Sequence, residues 1–294
     1  MLFLKGDANV SSRGTGPVGS PAPRVGPFAH LAVAPVVSLD GGAGTGKSTV
    51  AALLAQRLGG VPVIDSGLWF RALGLVVNSL GLSGSNEQVV NNLLPKLTFI
   101  PGVDHSGRCG MKVVLNHNPS LDPLSYDFSA NELAQPFAGR LASTVAPYQA
   151  VRELMLSKQR ELASQGAVTA GRAQGAEVFN NEFQDKTTQP VVRVLLHAAP
   201  EVRAQRRLAQ LERSEGFAEA SVSYQDVLTD ILQRDFRDRT RTHGKLLTVD
   251  EARLRGYLVI DNGSSCSDGV GLTPDEIVTQ IVAELRKRRL LLGE

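Results

Sequence analysis

Apolar residues in this chain fall into short runs separated by segments of helical period. Val36-Val37-Ser38-Leu39, Val61-Pro62-Val63-Ile64-Asp65, Ala167–Ala170, Val191–Leu196 and Tyr257–Asp261 read as buried strands. Lys47–Leu58, Leu68–Leu80, Ser83–Leu97, Glu132–Thr144, Tyr148–Gln165, a stretch resuming at Pro200 and Ser223–Arg241 read as helices. Thr98-Phe99-Ile100 and Lys112–Leu115 look like strands around a Gly107/Gly110 turn, and Asn116–Tyr126, rich in Asn, Pro and Asp, reads as loop. Thr273-Pro274-Asp275-Glu276 opens the last helix with an N-cap threonine, an N1 proline and a glutamate at N3. Apolar strands alternating with helices predict an α/β fold with a parallel sheet covered on both faces. Ligands of such sheets gather beyond the strand C-termini. Three polar segments fall there: Gly41–Ser48, Asp65-Ser66-Gly67 and Gly171-Arg172.

The first of these is a complete phosphate-binding loop. Gly41-Gly42-Ala43-Gly44-Thr45-Gly46-Lys47-Ser48, continued by Thr49, stands between a strand and a helix, the context the motif requires. Loop N–H groups and the helix N-terminus make a cradle for polyphosphate. Gly41, Gly44 and Gly46 leave room for phosphate and permit positive φ. Lys47 places a charge on the β- and γ-phosphates, and Ser48 offers a hydroxyl to Mg²⁺. The expected fold class is therefore the P-loop NTP hydrolase type.

Composition narrows the picture. A chain of 294 residues with 42% hydrophobic content suffices for one large α/β domain with a small inserted lobe. The net charge of +2 gives no bias toward nucleic acid or a membrane surface, so neither is expected as a partner. Cys109 and Cys266 are isolated, which fits reduced thiols rather than a zinc site or a disulfide framework. No apolar run approaches the roughly 18–20 residues of a membrane span. Residues 1–34 are rich in glycine and proline and are expected to be disordered. They are basic and poor in acids but form no Arg-rich amphipathic helix. A cytoplasmic protein is expected, with an organelle as the alternative if this leader is a transit peptide.

A phosphate loop alone fits kinases, GTPases, ATPases and motors. The Asn/Thr-Lys-x-Asp guanine motif is missing, and neither Ile64-Asp65 nor Ile260-Asp261 continues into the Asp-Glu of an AAA-type or helicase ATPase. Instead, arginines stand at element ends: Arg71, Arg152, Arg172, Arg206, Arg207, Arg234, Arg237, Arg239 and Arg241. A kinase holding two phosphorylated substrates needs several such cations, and arginine suits bidentate phosphate contact. Arg234, Arg237, Asp238 and Arg241 recur at helical spacing and share one face.

From about Pro35 to about Leu285 the chain resembles the bacterial-type cytidylate kinases, nucleoside monophosphate kinases. The resemblance rests on Asp40–Thr49, Ile64-Asp65-Ser66-Gly67 with Phe70-Arg71, Val151-Arg152-Glu153, Gly171-Arg172 through Gly175 to Phe179, and Arg234–Arg241. It implies a kinase domain over residues 35–294, with a monophosphate-binding insert over about 82–144 and a lid over about 203–222. It implies transfer of the γ-phosphate of ATP to CMP or dCMP with Mg²⁺, by a monomer acting on small nucleotides. Arg71 and Arg172 would then hold the acceptor phosphate. Ser66, Ser143 and Arg152 would place the nucleotide, Arg234 and Asp238 would meet the sugar, and Arg241 the base or phosphate. Lys47, Arg237, Arg241 and Arg206 or Arg207 would supply charge to the transferring group. The anionic acceptor needs no general base.

The chain departs from this family at one motif. Where the family shows Ala-Asp-Gly-Arg-Asp, this chain has Thr169-Ala170-Gly171-Arg172-Ala173. In the family the second acid reads the amino group of cytosine; here Gln174, next along, offers a carbonyl in its stead. A family arginine is replaced near Ser129, Asn180–Gln189 is longer than the family's turn, and His197, a strand-end surface residue, stands where an acid is usual. A nucleotide-binding protein of the same fold with weak or no kinase activity, or a kinase for another small acceptor, is the alternative that these departures raise.

Overall fold

The computed structural model describes Phe28 and residues 34–103, 109–116, 122–212, 222–263 and 271–291. Five parallel strands form the central sheet in the order β2-β6-β1-β7-β8. They are β1 (Val36–Gly41), β2 (Val63–Asp65), β6 (Ala167–Gly171), β7 (Val191–His197) and β8 (Leu258–Asp261). Every residue of β1 is buried, as a central strand with both faces covered requires. On one face α1 (Lys47–Arg57) and α11 (Pro274–Lys287) close a core of Val37, Leu39, Leu54, Val194, Ile260 and Ile281. The Thr273/Glu276 capping box expected for α11 is present.

A second core lies beside the sheet. It joins α2 (Ser66–Ser79) and α6 (Gln149–Ala163) to a three-stranded antiparallel sheet of β3 (Leu97–Val103), β4 (Cys109–Leu115) and β5 (Leu124–Phe128). Trp69 is buried at its centre and stacks on Phe99 with ring centroids 5.7 Å apart. Here the elements differ from their expected bounds. The helix expected over Ser83–Leu97 shrinks to α3 (Glu87–Leu93), because Pro95 has no N–H to continue the ladder and the chain turns into β3. The helix expected over Glu132–Thr144 is two, α4 (Ala130–Ala134) and α5 (Pro136–Val145). Gln135, forced extended before Pro136 (φ −61°, ψ 144°), separates them. The end of the expected loop Asn116–Tyr126 is instead the start of β5.

Three elements surround the C-terminal edge of the sheet. After β6 comes a π-helical turn, Gln174–Val178, followed by α7 (Asn181–Thr187), which occupies the stretch read as an extended turn. α8 (Pro200–Glu212) packs on α9 (Tyr224–Thr240) through Ala204, Val227 and Ile231. α10 (Val249–Leu254) leads into β8. Positions 203–212 of the expected lid thus belong to α8, while 213–221 lie outside the described residues, as do most of the leader and Cys266.

Candidate active site

β1 runs into the phosphate loop, and the glycines take the conformations that the motif foretold. Gly44 (φ 75°) and Gly46 (φ 89°) are left-handed. Gly46 is the N-cap of α1, no side chain caps it, and no acid stands in the first turn. The leading N–H groups of α1 are thus left for an anion. Lys47 folds across the loop and donates from Nζ to the Gly42 carbonyl at 2.6 Å and to Thr45 Oγ1 at 3.3 Å. Burial, and next the charge of Arg172, hold the Lys47 ammonium well below the usual lysine range. Ser48 Oγ lies 3.5 Å from Asp65 Oδ2. Asp65 ends β2 and caps α2, accepting from the Gly67 N–H at 3.0 Å.

Buried polar groups that sequence reading did not single out brace the loop. Arg203 donates from Nη1 and Nη2 to the two oxygens of Asp235, at 3.1 and 2.5 Å, and from Nη1 to the Ala43 carbonyl at 3.1 Å. Asn262 donates to the Thr45 carbonyl at 3.1 Å. Asp40, fully buried, accepts from the N–H groups of Gln174 (2.7 Å) and Gly175 (3.0 Å) and from Tyr257 Oη (2.9 Å). Burial raises the Asp40 carboxyl above its ordinary range against those hydrogen bonds. Asp40 thereby fastens the root of the phosphate loop to the turn after β6.

Cations converge on the loop from three helices and a strand end. Arg172 donates from Nη1 to the Gly41 carbonyl at 2.8 Å and pairs through Nε with Asp238 Oδ2 at 2.8 Å. Asp238 also pairs with Arg241. Arg152 pairs with Glu177 Oε2 at 3.3 Å, whose other oxygen accepts from the Gly244 N–H at 2.6 Å. Arg71 donates to the Leu133 carbonyl at 2.6 Å. Ser66 donates to the Ala170 carbonyl at 3.3 Å. Half-buried Arg234 stands among them: after burial, its charge is among the causes that lower the proton affinity of Lys47, Arg71, Arg172 and Arg241. Arg172, squeezed by burial and then by Arg234 and Arg241, falls to about 9.

Three expected site residues stand apart from this cluster. Ser143, exposed on α5, donates to the Gly139 carbonyl of its own helix. Arg237 is exposed and bonds the Gln233 carbonyl one turn back, although its charge reaches Arg241. Arg206 donates to Asn262 Oδ1 at 3.2 Å, whereas it is the charge of Arg207 that bears on Arg71.

The family model for cytidylate kinase matches residues 37–287. The chain belongs to the cytidylate kinase family. A cytidylate kinase of Saccharophagus degradans is 31% identical over 258 residues, covering 87% of this chain and 98% of that protein. One of Shewanella sediminis is 34% identical over 248 residues, covering 83% and 92%. Ala170 and Ala173, at the divergent motif, are buried methyl groups. The Gln174 side chain beside them is also buried. Among the described residues no helix is long and apolar enough to cross a membrane.

Proposed function

We propose that this chain is a nucleoside monophosphate kinase that transfers the γ-phosphoryl group of ATP to CMP or dCMP. The observation that carries this reading is the phosphate loop itself: Lys47 folds across it to the Gly42 carbonyl, and Arg172 reaches the Gly41 carbonyl at its root. Cations gathered at one loop are stabilised by anionic ligands, and two phosphate-bearing substrates bring them.

In the transfer, an oxygen of the acceptor phosphate bonds to the γ-phosphorus while the bond to the β–γ bridging oxygen breaks, releasing ADP. Charge spreads over the equatorial oxygens, so catalysis rests on positioning and neutralisation. Lys47 and the N-terminus of α1 hold the ATP phosphates. Arg71 and Arg172 hold the acceptor phosphate, and Arg152, Arg234, Asp238 and Arg241 orient the nucleoside. Arg206 and Arg207 are the candidates for the cation on the transferring group. Ser48 and Asp65 supply adjacent hard oxygens that suit Mg²⁺, which would neutralise the β- and γ-phosphates when bound.

ADP release from ATP–Mg²⁺ against CMP, dCMP, UMP, AMP, GMP and shikimate, with a no-acceptor control, tests this. Stimulation by CMP or dCMP is expected. ATP binding without acceptor-dependent ADP release would instead indicate a nucleotide-binding protein of this fold that does not transfer phosphate.

A further inference from the structure

Gln174 is 6% exposed, and its Oε1 is buried with no hydrogen-bond partner among the described residues. Such an oxygen is costly unless a ligand supplies the missing donor. Its surroundings are those of a ligand site. The backbone N–H of Gln174 is pinned by Asp40, so the side chain starts from a fixed point. A methyl group built on Gly171 would stand 2.6 Å from Gln174 Cγ, 3.0 Å from its Nε2 and 2.8 Å from Ser66 Oγ. Only a bare Cα at 171 therefore leaves room for both the Gln174 side chain and the Ser66 hydroxyl at the C-terminal ends of β2 and β6. Arg172, next in the chain, points the other way, to Gly41 and Asp238. Phosphate-binding groups and an uncharged donor–acceptor pair thus sit side by side. Ala173 is buried as well, while Ala170 packs its methyl group into the core with Val37, Leu39 and Leu54.

We infer that Gln174 reads the pyrimidine edge of the acceptor and makes the site accept UMP as well as CMP. Cytosine presents an amino donor at C4 beside an acceptor at N3; uracil presents the reverse, a carbonyl at C4 beside N3–H. A carboxylate only accepts: it takes one hydrogen bond from cytosine N4–H or from uracil N3–H and leaves the neighbouring acceptor of either base without a donor. A carboxamide carries both functions, and rotating its terminal torsion by half a turn exchanges them at little cost. One side chain then pairs two-fold with either base. The inference rests on the nucleoside monophosphate kinase reading for its substrate class.

The test is kcat/KM for CMP and UMP, with calorimetric Kd for each nucleotide and for ATP, in the wild-type chain, Gln174→Glu and Gln174→Leu. The wild type is expected to use the two pyrimidines within about tenfold of each other, because both pairings are available. Gln174→Glu, which accepts but cannot donate, should raise KM for both pyrimidines by about tenfold or more, the value of the lost donor bond. Gln174→Leu should raise KM for both by about tenfold or more while the ATP Kd stays put. A wild-type preference for CMP above about a hundredfold, or an unchanged pyrimidine KM in Gln174→Leu, overturns the inference. If CMP and UMP bind with the expected ratios and no ADP forms, the kinase reading fails and the role of Gln174 stands. If neither nucleotide binds, both fail.

Discussion

Arg172 Nε lies 2.8 Å from Asp238 Oδ2, and the Asp238 side chain is only 1% exposed. The same carboxylate pairs with Arg241, and Arg172 in turn holds the Gly41 carbonyl. One acid on α9 therefore gathers two guanidinium groups against the phosphate loop. Asp238→Ala leaves both without their shared buried partner. Breaking a buried pair from one side costs about 3–5 kcal/mol, which lowers Tm by about 5–10 °C in a chain of this size. Saturating nucleotide should narrow the gap between variant and wild type, because phosphate replaces part of the lost negative charge. Thermal unfolding with and without nucleotide checks this. An equal deficit in both conditions would mean that the pair serves the fold and not the site.

The Arg203–Asp235 pair predicts a different outcome. Arg203 meets the carboxylate with two nitrogens and also holds the carbonyls of Ala43 and Ala198, so its fork geometry is fully used. Lysine keeps the charge but cannot reach these partners together. Arg203→Lys should weaken ATP binding by about tenfold through a displaced Ala43, the cost of one or two lost hydrogen bonds to a charged group. A double-mutant cycle with Asp235→Asn should show a coupling of about 1–3 kcal/mol in stability. Independent, additive effects would count against the brace.

The difference between these two pairs marks how far the sequence could be read. Asp238 and Arg241 lie one helical turn apart on α9, so periodicity put them on one face, and the Gly41–Ser48 motif named its own ligand. Arg203 and Asp235 lie on different helices, and no local pattern joins them. Nor does any pattern announce that Asp40 and Tyr257 meet beneath the turn after β6. Such pairings are made by the tertiary fold. Two misses were legible. Leu124-Ser125-Tyr126-Asp127-Phe128 alternates apolar and polar as a half-buried strand should, though turn residues before it masked the signal. Pro136 marks the break between α4 and α5.

Gly74, in the middle of α2, sets two effects in opposition. Alanine is the better helix former by about 1 kcal/mol. Yet a Cβ at Gly74 would stand 2.8 Å from the backbone carbon of Leu141 and 2.8 Å from its Cβ. Backbone cannot swing aside as a flexible side chain can, so α5 must move off α2. Overpacking of this kind costs about 1–3 kcal/mol, and Gly74→Ala is expected to be destabilising on balance. Denaturant unfolding decides it: a midpoint at or above that of the wild type would show that α5 yields freely.

Lys47 gives the site a pH dependence whose sign can be worked out. Burial and Arg172 hold its pKa below that of an ordinary lysine, with Asp65 and Asp40 opposing the shift and Arg234 adding to it. Between that lowered value and 10.5 the folded chain binds fewer protons at Lys47 than the unfolded chain does. The contribution of this group to folding stability therefore rises with pH through that window. Binding runs the other way. The phosphates of ATP raise the proton affinity of Lys47, so association takes up protons in the same window and weakens as pH rises. Arg172, at about 9, adds a second share. Calorimetry of ATP binding in buffers of differing ionisation enthalpy, from about pH 7 to about pH 10, reads the uptake directly. Lys47→Met should remove the share of Lys47 and leave that of Arg172. Uptake unchanged in Lys47→Met would show that the lysine is fully charged before the nucleotide arrives.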